Sequence, residues 1–144
     1  MEHLSWGGIF AQALVYFIPV WIGLIVVFAI SIMTKRYTGL YGRLFDSTVG
    51  MIGFGLVMFW LLTAIFAPMI APFDALSQVS GLKNKTPGIP VPDLDGMYYL
   101  FGGDNLARDV FSRMVYGSQT VLAIAPAATL FAFMVGITLG LPAG

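Results

Sequence analysis

Three stretches of this chain, residues 4–34, 47–73 and 114–144, contain no Asp, Glu, Lys or Arg. Each exceeds the roughly 20 residues an α-helix needs to cross a hydrocarbon core of about 30 Å. Within such a core the backbone must satisfy its own N–H and C=O groups, which restricts uncharged stretches of this length to helix. Composition agrees. The chain is 58% hydrophobic and 10% charged, whereas soluble domains carry about 25% charged residues to cover their surface. Seven basic and seven acidic residues cancel, so global charge provides no field for nucleic acid or an acidic membrane surface. Cysteine is absent, which excludes disulfides, thiolate nucleophiles and cysteine-held metals. The predicted fold class is an all-α membrane protein: three transmembrane helices and one extracytoplasmic amphipathic interfacial helix.

The first apolar block runs from Gly8 to Met33 and is interrupted by Gln12 and Pro19. A cleaved secretory signal would want a basic head, a shorter apolar core and a small-residue cleavage site. Here the head carries Glu2 and His3, and Thr34-Lys35-Arg36 follows the block. A membrane span is the expectation. The second block runs from Ser47 to about Ala71, where Pro68 and Pro72 predict a stop or kink. The third begins near Gly117 and carries Pro126 and Pro142. The chain thus divides into residues 1–46, an amino-terminal span with a basic loop, and 47–144, with spans at about 47–71 and 117–141 joined by an outer loop, 72–116. Residues 34–46 hold Lys35, Arg36 and Arg43 against Asp46, whereas 72–116 holds four basic and five acidic residues. Short basic loops stay in the cytoplasm. The expected topology places the amino terminus outside, 34–46 inside, 72–116 outside and residue 144 inside. Trp6 at one end of the first span and Tyr37 and Tyr41 at the other suit interfacial aromatic belts.

The outer loop is long for a structureless connection, so it is either functional or partly folded. Its middle, Lys83 to Asp95, contains Pro87, Pro90 and Pro92 and favours extended chain. No ionisable residue lies within a span, so the intramembrane relays of proton-coupled carriers are absent. Nothing matches a phosphate-binding loop: Gly102-Gly103 precedes Asp104 rather than a lysine. His3, the single histidine, stands near the amino terminus and reads as a solvated residue. No catalytic, cofactor-binding or metal-ligating set is therefore expected, and the protein is not expected to be an enzyme.

Two packing features stand out instead. Ala128, Ala132, Gly136, Gly140 and Gly144 recur every four residues, a small-residue ridge that lets a second helix approach closely. The alternative is lipid-facing filler. Gly50 and Gly53 are weaker hints of the same kind. Ahead of this span, Asn105 to about Tyr116 is predicted as a short helix with Asp104 as N-cap and Gly117 as its stop. Leu106, Val110, Phe111, Met114 and Val115 form its apolar stripe, while Arg108, Asp109, Ser112 and Arg113 occupy the rest. Asp104 with Arg108, and Asp109 with Arg113, stand at i,i+4, each pair contributing about 0.2–0.5 kcal/mol if exposed. An interfacial helix steadied by surface pairs and a partner-docking helix are both open readings of Asp104, Arg108, Asp109, Ser112, Arg113 and Gly117.

The stretch FGGDNLARDVFSR, Phe101 to Arg113, followed by Tyr116-Gly117, resembles the FGTDxxGRDxxSRxxYG signature of the dipeptide/oligopeptide/nickel permease family of ABC importers. FAPMIAPFD, Phe66 to Asp74, and the ending GITLGLPAG are similar to the neighbouring family spans, and the likeness covers about residues 47–144. Gly103 stands where the family has Thr, Ala107 where it has Gly, and Gln119 where it often has Arg. The 8–33 span is additional to the family's usual single amino-terminal span. The family's cytoplasmic Glu-Ala-Ala loop, which docks the ATPase, has no counterpart here, so the chain is expected to be the amino-terminal half of a permease, a fragment or truncated product. The resemblance implies a multi-pass subunit of a bacterial inner membrane that imports short peptides or related small solutes. It also implies a second permease subunit, two ATPase subunits that bind the ATP, and an extracytoplasmic substrate-binding protein. The chain itself would hold no cofactor and contact lipid, not nucleic acid. The other reading is a small helical membrane accessory or assembly protein, which the uncharged spans and the small-residue ridge fit equally well.

Overall fold

The structure, a computed structural model, describes residues 3–35, 42, 44–92 and 94–143. Its helices are α1 (Trp6–Tyr16), α2 (Ile18–Thr34), α3 (Thr48–Ile65), the single turn α4 (Ala67–Ile70) and α5 (Val110–Ala143). Between α4 and α5 lies a two-stranded antiparallel hairpin, β1 (Ile89–Pro90) and β2 (Tyr98–Tyr99), with Ile89 opposite Tyr99 and Pro90 opposite Tyr98. α3 and α5 are long and apolar enough to cross a membrane, and α1 with α2 makes a third such unit if the bent pair counts as one span.

The first apolar block is therefore two helices meeting at 52°, not one straight span. Ser5, in extended backbone, caps α1 by accepting the Gly8 N–H at 3.3 Å. Pro19 sits in the first turn of α2. Having no N–H, it cannot bond the Val15 carbonyl, and its ring would strike that carbonyl in a continuous helix. The chain breaks at Phe17 instead. Gln12 makes no break; its amide donates to Tyr16 Oη within α1.

Ser47 caps α3 by accepting the Gly50 N–H. α3 ends at Ile65 rather than continuing to residue 71, because Pro68 follows and Phe66 leaves the helical conformation. The predicted independent helix at 105–116 does not form. Residues 105–108 make a turn, α5 starts at Val110, and Gly117 lies inside it rather than ending it. Nor do Pro126 and Gly117 divide α5, which at about 1.5 Å per residue is about 50 Å long. The middle of the outer loop folds into the β1–β2 hairpin, so the chain is not purely helical.

The core lies at one end of the bundle. Ile9, Val20, Leu62, Ala67, Ile70, Leu100, Phe111 and Val115 form one buried cluster, and Leu82, Val91 and Tyr99 a second beneath the hairpin. Phe17 stacks on Phe59 at 5.5 Å and meets Phe111 edge-on at 6.1 Å, joining α1, α3 and α5. Farther along the α2–α3 pair, Phe28, Phe45 and Phe54 pack edge to face, and the Lys35 ammonium pairs with Asp46. Ala128, Ala132, Gly136 and Gly140 are exposed, with no atom within 4 Å of a Cβ built on either glycine. Gly53 is equally open, whereas Gly50 is pressed against the Leu44 carbonyl. Gly144, Arg36, Tyr37, Tyr41 and Arg43 lie outside the described residues.

Candidate functional site

The residues of the 101–117 stretch do fold together, into a latch that joins the outer loop to the head of α5. Gly102 has φ +82, and a side chain there would meet the Lys85 carbonyl. Gly103 faces the Leu82 carbonyl just as closely, so the Thr of the family signature has no room in this loop packing. The Gly103 N–H donates to Lys85 O at 3.1 Å, and the Val110 N–H to Gly102 O at 3.2 Å.

Asp104, the predicted helix N-cap, instead caps a turn. Its Oδ1 accepts the backbone N–H groups of Leu106 at 2.8 Å and Arg108 at 3.0 Å. Its Oδ2 accepts Arg108 Nε at 2.9 Å and Arg113 Nη1 at 2.6 Å. Burial works against this charge, but the Arg108 backbone and side-chain donors, the Leu106 N–H and the Arg108 charge outweigh it and hold the carboxyl at about 2. At neutral pH it is a fixed carboxylate clamp with no proton to transfer.

Asp109 is the residue that caps a helix. Its Oδ2 accepts the Ser112 N–H at 2.9 Å and the Ser112 hydroxyl at 2.7 Å, while its own carbonyl accepts the Arg113 N–H at 3.2 Å. The Ser112 hydroxyl in turn accepts the Phe73 N–H at 3.1 Å, tying the chain just after α4 to the first turn of α5. Asp109 and Ser112 are fully buried, and Asp109 Oδ1 has no hydrogen-bond partner among the described residues. Burial pushes the Asp109 carboxyl up, against the pull of the Ser112 hydroxyl and N–H and the Phe111 N–H. The expected Asp109–Arg113 pair does not form: capping turns Asp109 inward, and Arg113 reaches back to Asp104.

Three residues outside the predicted set also take part. Tyr99, buried at the end of β2, donates its hydroxyl to Ala107 O at 3.2 Å and packs edge-on against Phe73 at 5.1 Å. Burial, then the charges of Asp109 and Asp104, push its phenol up. Ala107 itself holds φ +59. Gln119 donates to the Ala64 carbonyl of α3 at 2.9 Å. Ala64 O would bond residue 68 in a continuous helix, and residue 68 is proline, so Gln119 supplies a donor that the helix lacks. Pro68 was the available signal; only the fold says that Gln119 reaches it. Gly117 lines an apolar groove of about 980 Å³ beside α5, with Trp60, Val121, Pro126 and Leu130.

Comparison with known proteins bears on the segment that precedes this latch. Residues 41–87 match the family model described as the N-terminal TM domain of oligopeptide transport permease C. A dipeptide transport system permease protein of Bacillus subtilis is 29% identical over 102 residues, 71% of this chain and 29% of that protein. A di/tripeptide transport permease of Pseudomonas aeruginosa is 35% identical over 83 residues, 56% of this chain and 26% of its own length. Over these residues the chain is similar to permease proteins of peptide transport systems. A glutathione transport permease of Escherichia coli is 39% identical over 84 residues, 58% of this chain and 24% of that protein. The chain therefore matches less than a third of the length of each of these relatives. No solved structure matches it significantly. Together with two, or up to three, helices long and apolar enough to cross a membrane, this likeness is that of a membrane-embedded permease segment.

Proposed function

We propose that the chain is the amino-terminal part of a membrane-spanning subunit of an ATP-driven importer for short peptides or related small solutes. One observation carries the reading furthest: the signature residues Asp104, Arg108, Asp109, Ser112 and Arg113 converge into a single latch at the head of a membrane-length helix. A latch of this kind gives the outer loop a fixed shape, as a surface that receives an extracytoplasmic binding protein requires. The names of the relatives, which are dipeptide, di/tripeptide and glutathione permeases, support the solute class. In this reading the chain works with a second permease subunit, two ATPase subunits that bind the ATP, and a substrate-binding protein. ATP binding then biases the pathway between inward- and outward-open states through its differential affinity for the two.

The Leu4 N–H donates to Gly88 O at 2.9 Å, which supports placing the amino terminus and the outer loop on one side of the membrane. We assign that side to the exterior, with residues 34–46 in the cytoplasm. The test is uptake of a labelled dipeptide by proteoliposomes holding the full-length permease with its partner, ATPases and binding protein. Uptake that requires ATP is expected; absence of peptide uptake in an assembly that hydrolyses ATP would overturn the solute class. For topology, single cysteines at Ser5 and Lys83 should react with an impermeant maleimide added outside intact cells, and one at Gly42 should not. The reverse pattern inverts the assignment.

A further inference from the structure

We propose that α1 is a strap, hinged at Phe17, that closes over the outer loop and the head of α5 and opens without unfolding either. Residues 3–34 precede the segment matched by the family model, so the strap is an addition to the matched domain rather than part of it. It is fastened at two places. The Leu4 N–H donates to Gly88 O, just before β1, while the Gly88 N–H is engaged with Tyr99 O at 2.9 Å. One turn later, Ile9 is only 2% exposed and packs in the cluster that contains Leu100, Phe111 and Val115. Tyr16 and Phe17 then set their rings 5.9 Å and 6.1 Å from that of Phe111.

The other face of α1 is open: Trp6, Phe10 and Leu14 are each more than half exposed. The hinge is built by sequence. Phe17 leaves helical geometry, Pro19 withholds the N–H that would carry the α1 ladder into α2, and the two helices meet at 52°. The outer loop keeps its own fastenings, namely Gly88 to Tyr99, Gly102 to Tyr99, Gly103 to Lys85 and Val110 to Gly102, none of which involves α1. Lifting the strap therefore breaks one backbone hydrogen bond and withdraws Ile9, with the flanking Leu4, Ala13 and Tyr16, from the cluster, while the hairpin and the latch keep their own hydrogen bonds. Segments held by few contacts open at the low end of a protein's stability range. Closed, the strap couples the hairpin to the first turns of α5 whatever solute crosses the membrane.

Gly88 gives the experiment its handle. It has φ +77, and a Cβ there would sit 2.7 Å from Leu4 O and 3.1 Å from Ile9 Cδ1. Gly96 has φ +81 with nothing within 4 Å. Gly88→Ala and Gly96→Ala thus introduce the same backbone strain, but only the first wedges the strap open. Amide hydrogen exchange, read residue by residue by NMR on the full chain in detergent micelles, follows Leu4 against Gly102 and Val110. In the unsubstituted chain Leu4 should be protected, yet exchange faster than Val110. Gly88→Ala should accelerate Leu4 by about tenfold or more with Gly102 and Val110 unchanged, and Gly96→Ala should leave Leu4 unchanged. An unprotected Leu4 amide in the unsubstituted chain would overturn the strap. So would joint acceleration of Leu4, Gly102 and Val110 in Gly88→Ala, which makes α1 an integral part of the loop, or an equal effect from Gly96→Ala.

Discussion

Ala107 is an alanine in a glycine's conformation. At φ +59 its Cβ crowds the following carbonyl, a strain of about 1–2 kcal/mol for an L-residue. The strain persists because the Ala107 carbonyl accepts from both the Val79 N–H and the Tyr99 hydroxyl. The family signature has Gly at this position, and the geometry supplies the reason. Ala107→Gly should stabilise the chain by about 0.5–1 kcal/mol after the extra freedom of glycine in the unfolded chain is deducted. Thermal unfolding in detergent checks it; a lowered midpoint would mean that the turn does not hold this conformation. Its neighbour Asp104 sets an acid limit. The folded carboxyl titrates at about 2 against the usual 3.8, so its contribution is complete above about pH 4 and is lost as pH falls through about 2. Asp104→Asn should be less stable at neutral pH and should flatten that acid limb in denaturation curves taken across the range. Asp109 has the opposite sign. Its raised pKa makes its contribution complete below the unfolded value and lost as pH rises through the folded one. Asn caps helices about as well as Asp, so Asp109→Asn should be tolerated at neutral pH where Asp104→Asn is not.

At the scale of elements, the end of α3 was legible from Pro68, whereas Pro19, expected to be tolerated within one span, divides the first block into two helices. Pro19 and Pro68 each remove a donor from a helix that uncharged sequence would otherwise continue, and α1 and α3 end accordingly. The head of α5 was not legible. Leu106, Val110 and Met114 stand at helical spacing, but Leu106 and Met114 are exposed, and Asp104 spends its oxygens on a turn. What decides the start of α5 comes from far along the chain: the Phe73 N–H on Ser112, and the Tyr99 hydroxyl and Val79 N–H on Ala107. Spacing within a twelve-residue window carries no record of such partners. The join between α3 and α5 depends on the same kind of long-range supply, Gln119 to Ala64 O. Gln119→Leu strands that carbonyl and should cost about 1–3 kcal/mol. Pro68→Ala restores a backbone donor to it, so the same Gln119→Leu change should cost less when made in a Pro68→Ala chain. Equal losses in both backgrounds, measured by thermal unfolding, would show that the Gln119 amide does not serve Ala64.

For the whole molecule, the distribution of packing is as informative as its presence. Phe111, Ser112, Val115 and Ser118, in the first turns of α5, are buried, while residues 119–141 are exposed in this chain. At about 1.5 Å per residue that exposed length is close to a full hydrocarbon core. One end of α5 is thus fixed by the latch and the remainder is presented to whatever surrounds it. Ala128, Ala132, Gly136 and Gly140 lie along this part, and open space surrounds both glycines. Substitution at Gly136 or Gly140 consequently separates two roles that are usually entangled. A Cβ at Gly140 meets no atom outside its own helix, so Gly140→Leu should not lower the helix content or the thermal unfolding midpoint of the isolated chain. If the ridge is where a second membrane helix approaches, the same change holds the two backbones apart. The fraction of full-length permease that co-purifies with its partner should then fall by about tenfold, the change in equilibrium for about 1.4 kcal/mol. Unchanged co-purification with Leu at both glycines would return the ridge to lipid.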